Sequence, residues 1–136
     1  MKRSKLLLPL FIGISLIFIA LWVLADLISL STHTEILGIW STDGGVAITA
    51  LHSWDVTCNN NVTVYYQYTH QIDGVGRVNT PIYVTIVAPP GVTHSETWTT
   101  VWYNLQPGNY TARCTTAASA EGKISTFTDS ASFTVP

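Results

Sequence analysis

The chain has 136 residues, a formal net charge of −2 and only 10% Asp, Glu, Lys and Arg, against roughly 25% in ordinary soluble domains. From Ser31 onward seven acids stand against three bases, a local charge of −4. A charge-poor, mildly acidic body has no electrostatic grip on phosphate backbones or anionic headgroups, which sets nucleic acid aside as a partner.

The first element is a run of 20 uncharged residues, Leu6 to Ala25, preceded by Lys2, Arg3 and Lys5. As an α-helix at about 1.5 Å per residue it spans roughly 30 Å, the depth of a bilayer's hydrocarbon core. The basic flank, residues 1–5, is expected in the cytoplasm and the remainder outside, with Trp22 near the outer interface. Leu27, Ile28 and Leu30 extend the run, so the expected helix covers 6–30 and the extracytoplasmic domain 31–136. Three fates fit such a segment. It is retained as a single-pass anchor in the lipid bilayer, cleaved after Val23-Leu24-Ala25 as a signal peptide, or packed against like subunits in the core of a secreted filament.

After Leu30 the pattern changes to alternation with β-branched and aromatic residues, broken by Asp43-Gly44-Gly45, Asn59-Asn60-Asn61, Asp73-Gly74, Pro89-Pro90-Gly91, Gln106-Pro107-Gly108 and Glu121-Gly122. These breaks predict about seven strands and no long helix. Alternate residues share a face. Trp54, Val56 and Cys58 form one apolar row, Val62, Val64, Tyr66 and Tyr68 a second, and Ile82, Val84 and Ile86 a third. Tyr110, Ala112 and Cys114 form a fourth. Trp98 and Trp102 share parity on their strand. If they face inward they are core. If outward, they combine with Tyr65 as an aromatic surface for carbohydrate or protein. Trp40 is expected to pack at the end of the domain nearest the membrane.

Two acceptor triplets for N-glycosylation, Asn61-Val62-Thr63 and Asn109-Tyr110-Thr111, lie on the polar parity and on the exported side. Cys58 and Cys114 lie on the apolar parity. In an oxidising compartment that placement predicts a disulfide tying the two sheets, the alternative being two buried free thiols.

The cysteine pair, Leu105-Gln106-Pro107-Gly108-Asn109-Tyr110-Thr111 and the closing Ala131-Ser132-Phe133-Thr134-Val135 resemble immunoglobulin-like and fibronectin type III-like sandwiches. The resemblance implies an all-β, immunoglobulin-like antiparallel β-sandwich behind one N-terminal transmembrane-length α-helix. It also implies that Tyr110 is a corner tyrosine whose hydroxyl bonds back to nearby backbone. The overall plan of basic leader, apolar helix and Thr-rich sandwich resembles archaeal surface and pilin-like proteins.

Catalytic patterns are missing. No Gly-X-Ser-X-Gly elbow or Asp-X-Asp-X-Asp-Gly loop occurs, and the carboxylates are scattered singly. His33, His52, His70 and His94 have no ligand spacing and are expected in solvated loops or at strand edges, with no metal and no cofactor. The sequence therefore points to a non-catalytic, membrane-anchored surface protein that binds or assembles at a cell or virion envelope. The alternatives are a subunit of a pilus-like filament and a carbohydrate-binding or hydrolytic module.

Overall fold

Alternation of period two becomes eight strands in the computed structural model, which describes residues 26–136. The apolar run expected to form a helix lies outside the described residues. The strands are β1 (Leu27–Thr42), β2 (Gly45–Cys58), β3 (Val62–Ile72), β4 (Gly76–Asn79), β5 (Tyr83–Val87), β6 (Val92–Tyr103), β7 (Gly108–Ala120) and β8 (Lys123–Val135). All pairings are antiparallel. One sheet has the order β1-β2-β6. The other runs β4-β3-β7-β8, with β5 sharing the β4 flank of β3. The β7–β8 hairpin turns on Glu121 and Gly122, both at positive φ (52° and 73°), a twist that glycine adopts without strain.

The two layers are joined firmly along one side, where β1 meets β8. There Thr32 Oγ1 lies 2.9 Å from Ser125 Oγ, and the Ile36 amide donates to Asp129 Oδ2 at 2.8 Å. Along the other side the layers are joined deeper in, where Thr100 Oγ1 on β6 lies 2.8 Å from His70 Nδ1 on β3. Between the layers are two apolar clusters. Trp54, Val56, Cys58, Val62, Val64, Tyr66 and Ala118 fill the root end, where the chain leaves Asp26. Ile48, Ala50, Ile72, Ala112 and Cys114 fill the tip end.

Several expectations are corrected. Residues 27–30, assigned from their hydropathy to the helix, belong to β1, with Leu27 opposite Cys58 and 5% exposed. The β1 register shifts between Leu27 and Ser29 and between Ile36 and Gly38, and Ile28 and Leu37 are left outside. An eighth strand appears because Asp73-Gly74-Val75 makes a tight hairpin rather than a long break. The third apolar row is reversed. Tyr65 pairs with Val84, so Ile82, Val84 and Ile86 face solvent at 65, 58 and 71%, while Val87 is buried. Trp40 pairs with Ala47 near the tip, away from the root.

The cysteines have the expected inward parity but are free thiols in separate clusters. His52 and Thr116 mark the same level of the sandwich, since their side chains are bonded. Cys58 lies six residues from His52 toward the root, and Cys114 lies two residues from Thr116 toward the tip. At about 3.3 Å per residue the separation is roughly 25 Å, whereas a disulfide needs Cα atoms within about 7 Å. Parity placed both side chains on the right face but carried no information about level along the strands.

Candidate functional site

Two constellations stand out, one sealed and one open. The sealed one separates the two apolar clusters. His52 and His70, on β2 and β3, are both 0% exposed, and their Nε2 atoms are 3.0 Å apart. His52 Nδ1 is 2.9 Å from Thr116 Oγ1, and His70 Nδ1 is 2.8 Å from Thr100 Oγ1. Thr116 donates to the His33 carbonyl at 3.0 Å. A hydroxyl has one proton, so Thr116 then accepts from His52 Nδ1–H. His52 Nε2 accepts from His70 Nε2–H, and His70 Nδ1 accepts from the Thr100 hydroxyl. Thr34 joins the belt 2.8 Å from Thr116.

Each ring nitrogen is satisfied in the neutral state. Burial pushes the His52 pKa down to about 4. Burial first, and the neighbouring His52 second, push that of His70 down to about 3. The rings are clamped by aromatic neighbours, Tyr68 stacked on His52 at 4.4 Å and Trp98 against His70 at 4.3 Å. A pair so enclosed has no path to a substrate, and its chemistry is structural. The expectation of solvated histidines fails here, since His52 shares the inward parity of Trp54 on β2 and His70 that of Tyr68 on β3.

The open constellation lies along the β6 seam. His94, Glu96, Trp98 and Trp102 point from β6 toward the opposite layer, where Trp98 meets His70 at 4.3 Å and His94 meets Tyr66 at 5.2 Å, Tyr66 in turn packing on Tyr83. His94 stacks on Trp54 at 5.4 Å, and its Nε2 is 3.7 Å from Glu96 Oε2. Four buried side-chain atoms lack a hydrogen-bond partner among the described residues: Trp54 Nε1, Tyr68 Oη, His94 Nε2 and Trp102 Nε1. All four belong to this aromatic wall. Burial, and next the Glu96 carboxylate, hold the Tyr68 phenol above its ordinary value, so it stays a neutral donor.

The residues expected from sequence to bind are not brought together. Trp98 and Trp102 turn inward against the root and tip clusters, leaving Tyr65 on the opposite outer surface. Tyr65 there adjoins Ile82 and Ile124 around a shallow depression also lined by Ala117 and Ser119. Asn61 and Asn109 are both exposed, Asn61 at the root and Asn109 toward the tip, where its Oδ1 accepts from Thr134 at 2.8 Å. The Tyr110 hydroxyl donates to the Gln106 carbonyl at 2.6 Å, a corner geometry. Among the described residues no group of three or more His, Cys, Asp or Glu side chains is placed to hold a metal ion.

No family model matches the chain, and no curated protein matches it. Among solved structures it is similar to a Bacteroides fragilis protein described as a beta-galactosidase. The identity is 13% and the TM-score 0.54, over 74% of this chain and 17% of that one. The likeness shows a shared fold alone. A protein from Archaeoglobus fulgidus is 18% identical with a TM-score of 0.40, covering 82% of this chain and 98% of that one. Beta-glucosidase 3B from Thermotoga neapolitana is 13% identical with a TM-score of 0.38, covering 76% and 17%.

Proposed function

We propose that the protein is a non-catalytic surface protein, held at a membrane by Leu6–Ala25, whose immunoglobulin-like sandwich binds or assembles with partners outside the cytoplasm. The observation that carries this reading is the junction between the apolar run and the sandwich. Ala25 is followed at once by Asp26, whose carbonyl accepts from the Asn59 amide at 2.7 Å and whose Oδ1 accepts from Asn60 Nδ2 at 2.7 Å. In this reading the sequence adjacency of the apolar run and Asp26, which is itself tied into the sandwich, favours a root that lies next to the lipid surface and a tip that points away. The exposed Asn61 and Asn109 suit glycosylation in that location.

The test is membrane fractionation with protease protection, read by intact mass. The full-length chain is expected to resist carbonate extraction and to lose its sandwich only to protease added outside. Recovery in the soluble cytosol would reject the reading.

A filament subunit is a second reading, favoured by one observation. Tyr65, Ile82, Val84, Ile86 and Ile124 make an exposed apolar strip on the outer face of the wider sheet, at the same root end. Side-by-side packing of copies would cover such a strip. Sheared filaments containing this chain would support it, and a monomer after mild detergent extraction would not.

A further inference from the structure

The two layers differ in width. The β4/β5-β3-β7-β8 sheet is four strands across and the β1-β2-β6 sheet three. Since β1 is bonded over β8, the shortfall lies beyond β6. Side chains below that position record it. Val78 pairs with His70 and Tyr83 with Tyr66, both inward parity, yet they are 41 and 37% exposed.

The β6 edge beside this gap is unguarded. Its 12 residues pair with β2 without a register shift, and they include no proline, glycine or lysine and one charge, Glu96. Exposed edges are normally shortened, bulged or charged to prevent pairing. The β1 edge is bulged twice, and β4 and β5 have four and five residues. Behind the β6 edge stand the Trp54 and Trp102 indole N–H groups, which have no hydrogen-bond partner among the described residues, Trp54 being 0% exposed.

The geometry points to an acceptor groove for one added β-strand, lying between β6 and the uncovered faces of β4 and β5 and filled by an extended segment of another protein. The segment forms a backbone ladder with β6 and lays alternate apolar side chains on Val78 and Tyr83, the others facing water. A second copy is a poor donor. Bringing two β6 edges to the roughly 4.8 Å of a strand pair would drive the projecting β4/β5 flanks into each other. Most described residues of a second copy are already in strands of its own sheets. The Leu6–Ala25 run lacks the polar alternate positions that a half-solvated strand needs. This inference rests on the binding reading above and specifies its partner.

The test uses the full-length chain in mild detergent and a capped alternating Thr-Val peptide long enough to span β6. Binding is read by tryptophan fluorescence and amide hydrogen exchange. Saturable binding with slowed exchange confined to β6, β4 and β5 is expected. A central proline in the peptide should weaken it at least roughly tenfold, because a ladder donor is lost. Val78→Asp, at a position already exposed, should do the same without disturbing the fold. Absence of binding at millimolar peptide, equal binding of the proline peptide, or protection on β1 instead would overturn the groove. Efficient cross-linking of Thr97→Cys between copies would overturn it in favour of self-pairing. None of these failures touches membrane attachment, which the protease experiment decides separately.

Discussion

Acid should loosen this sandwich from its centre. His52 and His70 are neutral in the fold, with pKa values of about 4 and 3, and regain the ordinary value of 6.5 when the chain unfolds. A base whose folded pKa is depressed supplies stability that is whole above pH 6.5 and shrinks as the pH falls through that value toward the folded pKa. At pH 5 each unfolded imidazole carries nearly a full proton that the folded one refuses. That difference is about 2 kcal/mol per ring, or about 4 kcal/mol for the pair, relative to pH 8. A domain of this size has a total stability of about 5–15 kcal/mol, so the loss is large. Urea denaturation followed by tryptophan fluorescence between pH 8 and 5 measures it. The double variant His52→Leu/His70→Leu should start less stable at pH 8, with the Thr100 hydroxyl deprived of its His70 partner while Thr116 keeps Thr34 and the His33 carbonyl, but should show a much flatter pH dependence. Equal stability at pH 8 and 5 in the native chain, or the same slope in the double variant, would refute the neutral-pair assignment.

The thiols give a second check: Cys58 and Cys114 should resist a thiol reagent until the chain unfolds, and reductant should leave the intact mass unchanged. Burial, and next Asp129, push the Cys114 pKa up to about 12, so its thiolate is scarce even at mildly alkaline pH. Trp98→Ala removes a ring packed on His70 and the root cluster and should cost about 3 kcal/mol in denaturant titrations, whereas Tyr65→Ala on the outer surface should cost under about 1. Tyr110→Phe, which loses only the bond to Gln106, should cost about 1 kcal/mol by the same assay.

The inward rows of β2, β3 and β7 were readable because each of those strands lies inside its sheet, so one parity is buried along most of its length. Trp54, Val56, Val62, Val64 and Ala112 follow that rule. On β5 the rule inverts. A five-residue edge strand has no neighbour beyond it, and its Val84 and Ile86, with Ile82 just before it, face out. Hydropathy also joined residues 27–30 to the preceding apolar run, although the pairing of Leu27 with Cys58 makes them strand. The histidine belt was hidden for a different reason. Its members are scattered between positions 34 and 116, and only the stacking of the two sheets brings them to one level.

That belt also acts as an alignment key. Thr34, His52, His70, Thr100 and Thr116 come from five different strands, and each has polar atoms whose partners are the others. Sliding any one strand by a single residue would aim its side chain at water and strand a dry nitrogen or hydroxyl on its neighbour, at a cost of about 1–3 kcal/mol. An oily midsection would tolerate such sliding far better. In a chain rich in interchangeable threonines and valines, this one layer of mutual recognition tells each ribbon where to stop.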